Sequence, residues 1–297
     1  MCSLQVCVFL SVLCYVSNKE VRAPVGLLTP TCVESYHQIF VRRVVPPRNY
    51  RYFHEVLAGE EPSTNAAVNI RWRIVGGQKI SIEDVPYQVM YGKYCGGTLI
   101  APNWVITAAH CKAKEPYVYA GSTFRSEGVP YHVCAHFVHP LWNTSNLHSH
   151  DYDYQLLLLE TPIPVSSVSR PIAIGTKSDV KAGAMTSISG WGHLQYKKSS
   201  MQDYLHRVFV PVMARSECRQ MPEGNYDKIT PRMFCAGYVS GEKDSCQGDS
   251  GGPVVINAKL VGLVSYGVGC AAPRRPGVYS NVPMAREWIR SVTGLPL

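Results

Sequence analysis

From Ile74 onward the chain is a succession of short apolar runs broken by Gly, Pro and Ser, with no helical period until its end. Six runs come first, at residues 86–90, 97–100, 104–108, 117–120, 131–138 and 156–159. Six more follow, at 184–190, 206–211, 233–236, 253–256, 260–265 and 277–279. Short runs bounded by turn formers predict strands, and two groups of six predict two barrels or a sandwich. The pattern then changes to helical spacing. Met284, Trp288, Ile289 and Val292 share one face, Pro283 suits a first turn and Gly294 a stop.

Upstream of Ile74 the texture differs. Residues 18–73 carry Arg42-Arg43, Pro46-Pro47 and a polar run at 59–65, with no clear period. They read as a loosely structured pro-segment; one cysteine and few long apolar runs argue against a folded accessory domain. Residues 4–16 are almost wholly apolar, too short for a bilayer span and at the extreme N-terminus. They read as the core of a secretory signal peptide over residues 1–17, although no Lys or Arg precedes them.

Composition narrows the class. With 46% hydrophobic and 17% charged residues, 297 residues can bury the core of a two-lobed domain. The net charge is +8, of which residues 74–297 supply 21 Lys and Arg against 16 Asp and Glu. No dense basic helix or aromatic-basic interleaving accompanies it, so nucleic acid and membrane are not expected partners. Of 11 cysteines, signal removal takes away Cys2, Cys7 and Cys14 and leaves an even number without any CxxC pair. That suits an oxidising, extracellular location and a secreted protein better than a reduced metal site.

Three stretches carry chemistry. In Gly248-Asp249-Ser250-Gly251-Gly252-Pro253, glycines clear the approach to a serine and leave backbone N–H groups free for a developing oxyanion. In Thr107-Ala108-Ala109-His110-Cys111, small neighbours let an imidazole face a cleft as general base, and the cysteine can pin its backbone. In Asp151-Tyr152-Asp153-Tyr154-Gln155, followed by four leucines, an Asp at the mouth of a buried strand can orient that imidazole. Each has a plain structural alternative: a Gly-rich turn, a structural His, a capping Asp.

Together with Ile74-Val75-Gly76-Gly77 and Ser189-Gly190-Trp191-Gly192, these stretches resemble the chymotrypsin/trypsin family of serine endopeptidases, in the family's order over residues 74–297. The resemblance implies an all-β protease domain of two packed six-stranded antiparallel β-barrels, with the active site between them and a C-terminal helix. It assigns Ser250 as nucleophile, His110 as general base and Asp153, not Asp151, as the orienting carboxylate. The backbone N–H groups of Gly248 and Ser250 become the oxyanion hole. Gln155 departs from the family, which usually has a small residue there. A catalytically silent homologue acting as a binding or regulatory module is the alternative; such proteins usually lose a triad member, and this chain keeps all three.

The same resemblance implies specificity and activation. Asp244 falls at the base of the primary pocket and selects Arg or Lys, with Gly267 and Gly277 as open walls and Ser265 on the strand that pairs with substrate. Cleavage at Arg73-Ile74 frees an α-amino group that pairs with Asp249 and orders the site. Lys93 replaces a His that in some members helps hold the inactive form. Expected partners are protein or peptide substrates with Arg or Lys at the cleavage site, and protease inhibitors, with the enzyme a monomer.

Family disulfides imply pairs Cys95–Cys111, Cys218–Cys235 and Cys246–Cys270. Cys32 and Cys134 are left over: they pair and tether the pro-segment, or each stays free or bonds another chain. Asn143-Thr144-Ser145 is a glycosylation acceptor pattern. No cofactor or metal is expected; the loop where some trypsins hold calcium offers Ser122, Thr123 and only Glu127 nearby.

Overall fold

A computed structural model describes residues 14–16, 19–21, 32, 77–112, 115–142, 150–192, 201–222, 224, 226–241, 249–268 and 271–297. Strands β1 (Cys14–Val16) and β2 (Lys19–Val21) form a small antiparallel hairpin, and β3 (Gln78–Lys79) opens the main body. All twelve expected strands are present, with ends moved by a residue or two.

The first barrel contains β4 (Gln88–Tyr91), β5 (Cys95–Ala101), β6 (Trp104–Thr107), β7 (Tyr117–Ala120), β8 (Val129–Val138) and β9 (Gln155–Leu159). They close in the order β4-β5-β6-β9-β8-β7, all antiparallel. Strand β9 reads as a continuous apolar run because both of its faces are buried. Leu157 and Leu159 join Val89, Leu99, Val105, Val118 and Val133 inside the barrel. Leu156 and Leu158 point the other way, onto a cluster shared with Leu260 and Leu263 of the second half and Ile289 of the C-terminal helix. Alternation along the strand therefore serves two cores at once.

The second half contains β10 (Met185–Gly190), β11 (His206–Pro211), β12 (Met233–Ala236), β13 (Pro253–Ile256), β14 (Lys259–Tyr266) and β15 (Gly277–Asn281). Their order is β12-β15-β14-β13-β10-β11, with β3 added at the edge of β11. A single antiparallel bridge, Val212 to Ala236, joins the two ends of this sheet. Inside sit Ile188, Val208, Phe234, Val254, Val261 and Tyr279. The β13–β14 hairpin turns through Asn257 and Ala258, both at positive φ (49° and 55°), the two-residue turn that matches strand twist.

The C-terminal helix runs Arg286–Thr293. Pro283 stands one turn earlier, in a 3-10 turn at Val282–Ala285 that also takes Met284 out of the helix proper. Ile289 is fully buried, Trp288 and Val292 pack beside it, and Gly294 ends the helix at φ 75°.

Disulfides join Cys95 to Cys111 and Cys218 to Cys235, as the family pattern implied. Cys32 and Cys134 are also bonded, with Cα atoms 5.3 Å apart, which resolves the alternatives left open by the sequence. Cys246 and Cys270 lie outside the described residues, as do Arg73, Ile74 and Asn143.

Candidate active site

His110 sits in a 3-10 turn, Ala109–Cys111, directly after β6. The alanines on its N-terminal side, Ala108 and Ala109, are buried, and Cys111 bonds to Cys95 on β5. The turn is thus pinned from both sides while the imidazole keeps 23% of its side-chain surface exposed.

Asp153 lies two residues before β9 and is fully buried. Its Oδ1 accepts from the backbone N of His110 at 2.9 Å. Its Oδ2 accepts from His110 Nδ1 at 2.7 Å and from Ser265 Oγ at 2.6 Å. Burial alone would raise this carboxyl; the adjacent imidazole and these three donors outweigh it and hold Asp153 below the ordinary carboxylate value. Burial likewise opposes charge on His110, and Asp153 overcomes it, so His110 titrates above the ordinary 6.5. Nδ1 is therefore the donor to Asp153, and Nε2 is left to face the cleft.

The neighbouring Asp151 does different work. Its carboxylate takes Arg232 through both Nε, at 3.0 Å, and Nη2, and also accepts from Thr230 Oγ1 at 2.8 Å. Arg232 stacks over the Tyr152 ring, 4.7 Å from its centroid. This places Asp153, not Asp151, beside the imidazole.

Ser250 occupies the corner of a turn closed by Gly252 N donating to Asp249 O at 2.8 Å. Gly251 follows at φ 76°, where a Cβ would meet Thr107 Oγ1 at 2.1 Å and Gly96 O at 2.7 Å. Only glycine fits this approach of the second half to the first. Gly96 N donates to Ser250 O at 2.8 Å, and Gly96 O accepts from Thr107 Oγ1 at 2.7 Å. One residue of β5 thereby ties the serine turn to the strand that leads into His110. The Ser250 carbonyl also lies 3.6 Å from Cys111 Sγ, next in sequence to His110.

Asp249 is buried, and its Oδ1 accepts from Gly192 N at 2.9 Å. A Cβ at Gly190 or Gly192 would fall 2.0 or 2.5 Å from its carboxylate oxygens. The Ser189–Gly192 motif thus makes room for that carboxylate. Tyr266 pairs with Val278 across β14 and β15, so Gly267, exposed, and Gly277, buried, face each other one step further along. Asp244 and Gly248 lie outside the described residues.

One bond and one residue escaped the sequence reading. Ser265 donates to Asp153 as well as lying on the strand edge. His150 stacks on Tyr266 (centroids 4.3 Å apart, 29° between planes) and sets its ring against His110 at 6.1 Å. Only its adjacency to Asp151 in the His148–Asp153 stretch pointed that way.

A family model described as Trypsin matches residues 74–289. The chain belongs to the trypsin family. It is a serine protease of the chymotrypsin/trypsin type, a hydrolase acting on protein substrates. This trypsin-family chain is 41% identical over 236 residues to the vitellin-degrading protease of Bombyx mori, covering 76% of this chain and 88% of that one. It is 39% identical over 233 residues to trypsin 5G1 of Aedes aegypti, covering 75% and 86%. Among solved structures it resembles neuropsin, a serine protease expressed in the limbic system of mouse brain, with a TM-score of 0.67 and 31% identity over 73% of this chain and 98% of that one.

Proposed function

We propose that this trypsin-family protease is a secreted endopeptidase, made as a zymogen, that hydrolyses peptide bonds after Arg or Lys through His110, Asp153 and Ser250. The observation that carries the reading is the buried Asp153 carboxylate, which accepts the His110 backbone N, His110 Nδ1 and Ser265 Oγ at 2.9, 2.7 and 2.6 Å. A carboxylate so held fixes the imidazole tautomer and stabilises the imidazolium. Ser250 Oγ attacks the scissile carbonyl as His110 Nε2 takes its proton. The backbone N–H groups of Gly248 and Ser250 hold the oxyanion. His110 then gives the proton to the leaving amine, and a water, deprotonated by His110, releases the acyl group from Ser250.

Asp244 at the pocket base, with Gly267 and Gly277 as open walls in the family pattern, gives the pocket its preference for cationic side chains, and the Aedes relative's name, trypsin, supports this. Residues 1–17 direct export and residues 18–73 form the pro-segment. Cutting after Arg73 frees the Ile74 α-amino group to reach Asp249, buried beside Gly192. Protein protease inhibitors would enter the same cleft.

The test uses a serine-directed phosphonate and matched peptides on protein cleaved at Arg73. Labelling that disappears in Ser250→Ala, with turnover after Arg or Lys, is the expected result. Unlabelled wild-type protein makes the chain a silent homologue; faster cleavage after Phe or Leu removes the pocket assignment.

A further inference from the structure

A polar chain, buried at both ends and half-buried at His136, runs through the first barrel from the strand behind Asp153 to the turn that carries His110. Gln155 opens β9, two residues after Asp153, and is fully buried. Its side-chain amide lies 3.1 Å from His136 Nδ1. The Tyr91 hydroxyl, on a residue also fully buried, gives its one proton to the Lys112 carbonyl at 2.9 Å and so accepts from the protonated Nδ1 of His136 at 3.2 Å. Lys112 caps the turn two residues after His110, at φ 64°, a conformation a lysine adopts only where it is held.

Strand alternation directs these groups inward. Gln155 is in phase with the inward Leu157 and Leu159, and Tyr91 belongs to the same interior cluster. His136 lies between Ala135 and Phe137, which face outward. An amide, an imidazole and a phenol inside an apolar barrel are costly unless they serve one another. One polar atom of the Gln155 amide has no hydrogen-bond partner among the described residues, so the amide carries a cost that a leucine would avoid. Filling space does not account for it. Burial, with a smaller contribution from His132, pushes His136 down to about 4, so the ring is neutral at neutral pH and its one proton sits on Nδ1, facing Tyr91.

We propose that Gln155, His136 and Tyr91 are positioning residues that set the spacing of His110 and Asp153, acting through the backbone of β9 at one end and the Lys112 carbonyl at the other. The proposal rests on the reading of His110, Asp153 and Ser250 as the triad. It adds a side-chain link between two segments that the His110–Asp153 contact and the β6–β9 ladder already join.

The experiment measures kcat, KM and the acid limb of kcat for cleaved protein. Tyr91→Phe keeps the ring and loses only the hydroxyl. A tenth of an ångström to an ångström of drift in the His110 turn predicts a kcat loss of about tenfold with KM within about twofold. The acid-limb midpoint should move down toward the ordinary histidine value, because a displaced imidazole is held less well by Asp153. Gln155→Leu should act alike, and the double variant should be no worse than the poorer single one. His136→Asn, which keeps a polar atom near both neighbours, should retain more kcat than His136→Leu. Should Gln155→Leu not accumulate as folded protein, the cycle is run with His136→Asn in its place. Full kcat in Tyr91→Phe, a loss confined to KM, or losses that multiply in the double variant would each overturn the relay. Ser250→Ala in the same assay separates the two ideas. Retained turnover there removes the triad, whereas an inactive Ser250→Ala beside a fully active Tyr91→Phe removes only the relay.

Discussion

The first barrel closes through continuous ladders, while the second joins its ends through the lone Val212–Ala236 bridge. The two halves also deliver their parts of the site differently. The first holds His110 and Asp153 through one carboxylate, which accepts the backbone N and Nδ1 of His110, with a third bond reaching it from Ser265 of the second half. The second presents Ser250 by backbone geometry, on a turn whose glycine slips against Gly96 and Thr107. Polar side chains should therefore be replaceable in the first half at the expense of rate, while glycines in the second half should fail by steric conflict.

The sharpest test of the first half is Asp153→Asn. Asparagine can accept through only one side-chain atom, yet His110 N, His110 Nδ1 and Ser265 Oγ all donate here. The imidazole would lose its tautomer, and kcat should fall about 10⁴-fold, the size of loss seen when the orienting carboxylate of this family is changed to its amide. Because Asp153 holds His110 above 6.5, the acid limb of any residual activity should also move down. A loss below about tenfold, measured by active-site titration and kcat, would mean that Asp153 does not orient His110.

For the second half the informative change is Gly251→Ala, read against Gly183→Ala. Both glycines have positive φ, 76° and 82°. At Gly251 a Cβ meets Thr107 Oγ1 at 2.1 Å and the Gly96 carbonyl at 2.7 Å; at Gly183 nothing lies within 4 Å. Backbone strain alone costs about 1–2 kcal/mol, so Gly183→Ala should lose about that much. Gly251→Ala should lose about 3 kcal/mol or more, because backbone on the facing strand must move. Equal losses in denaturant unfolding would show that the approach of the halves at Gly251 is soft.

Strands were legible in the sequence because short apolar runs between turn formers leave few alternatives. Their ends were less so: the run at 86–90 starts as a strand only at Gln88, and β14 gains Lys259 and Tyr266 at its ends. The choice of Asp153 over Asp151 came from family order, and Arg232 and Thr230 supply the physical reason by taking the other carboxylate. Gln155 stood out as a departure, but its partners His136 and Tyr91 lie on other strands and no spacing announces them. The same holds for Ser265, 112 residues from Asp153. The Cys32–Cys134 bond was equally hidden, since connectivity is decided by three-dimensional approach.

A smaller and graded difference between the halves should appear on acidification. The first half contains His136 and His139, both pushed to about 4, chiefly by burial; His132 adds to the shift at His136, and Asp151 opposes it at His139. His139 Nδ1 accepts from Leu141 N at 3.2 Å, and its ring stacks on Tyr152, so it is built in neutral. An unfolded chain takes up protons on these residues below 6.5, and the folded protein does so only near 4. Stability should therefore fall as pH drops from about 6.5 to about 4, by up to about 1.4 kcal/mol per pH unit for each histidine. His110, shifted the other way, contributes stability that is lost as pH rises above 6.5. His139→Asn keeps an acceptor for Leu141 and should flatten the acid slope by about one proton. An unchanged slope would remove His139 from the account.

The smallest effect on activity is expected at Cys134, which sits on β8 at the far side of the barrel from Ser250's turn and is bonded to Cys32. In the proposed activation, cleavage after Arg73 would separate residue 32 from the protease domain along the chain but leave this bond in place. The excised segment should then travel with the domain, as two bands on a reducing gel and one without reductant. Cys134→Ser should release the segment and leave kcat within about twofold, since neither sulfur belongs to the network around Asp153. The bond does join the buried Cys32 to the barrel that contains Tyr91 and His136. If releasing it lowered kcat as much as Tyr91→Phe is expected to, the pro-segment would have to be counted among the elements that hold the His110 turn. A segment that separates from oxidised wild-type protein would instead show that the pair is not kept in the mature enzyme.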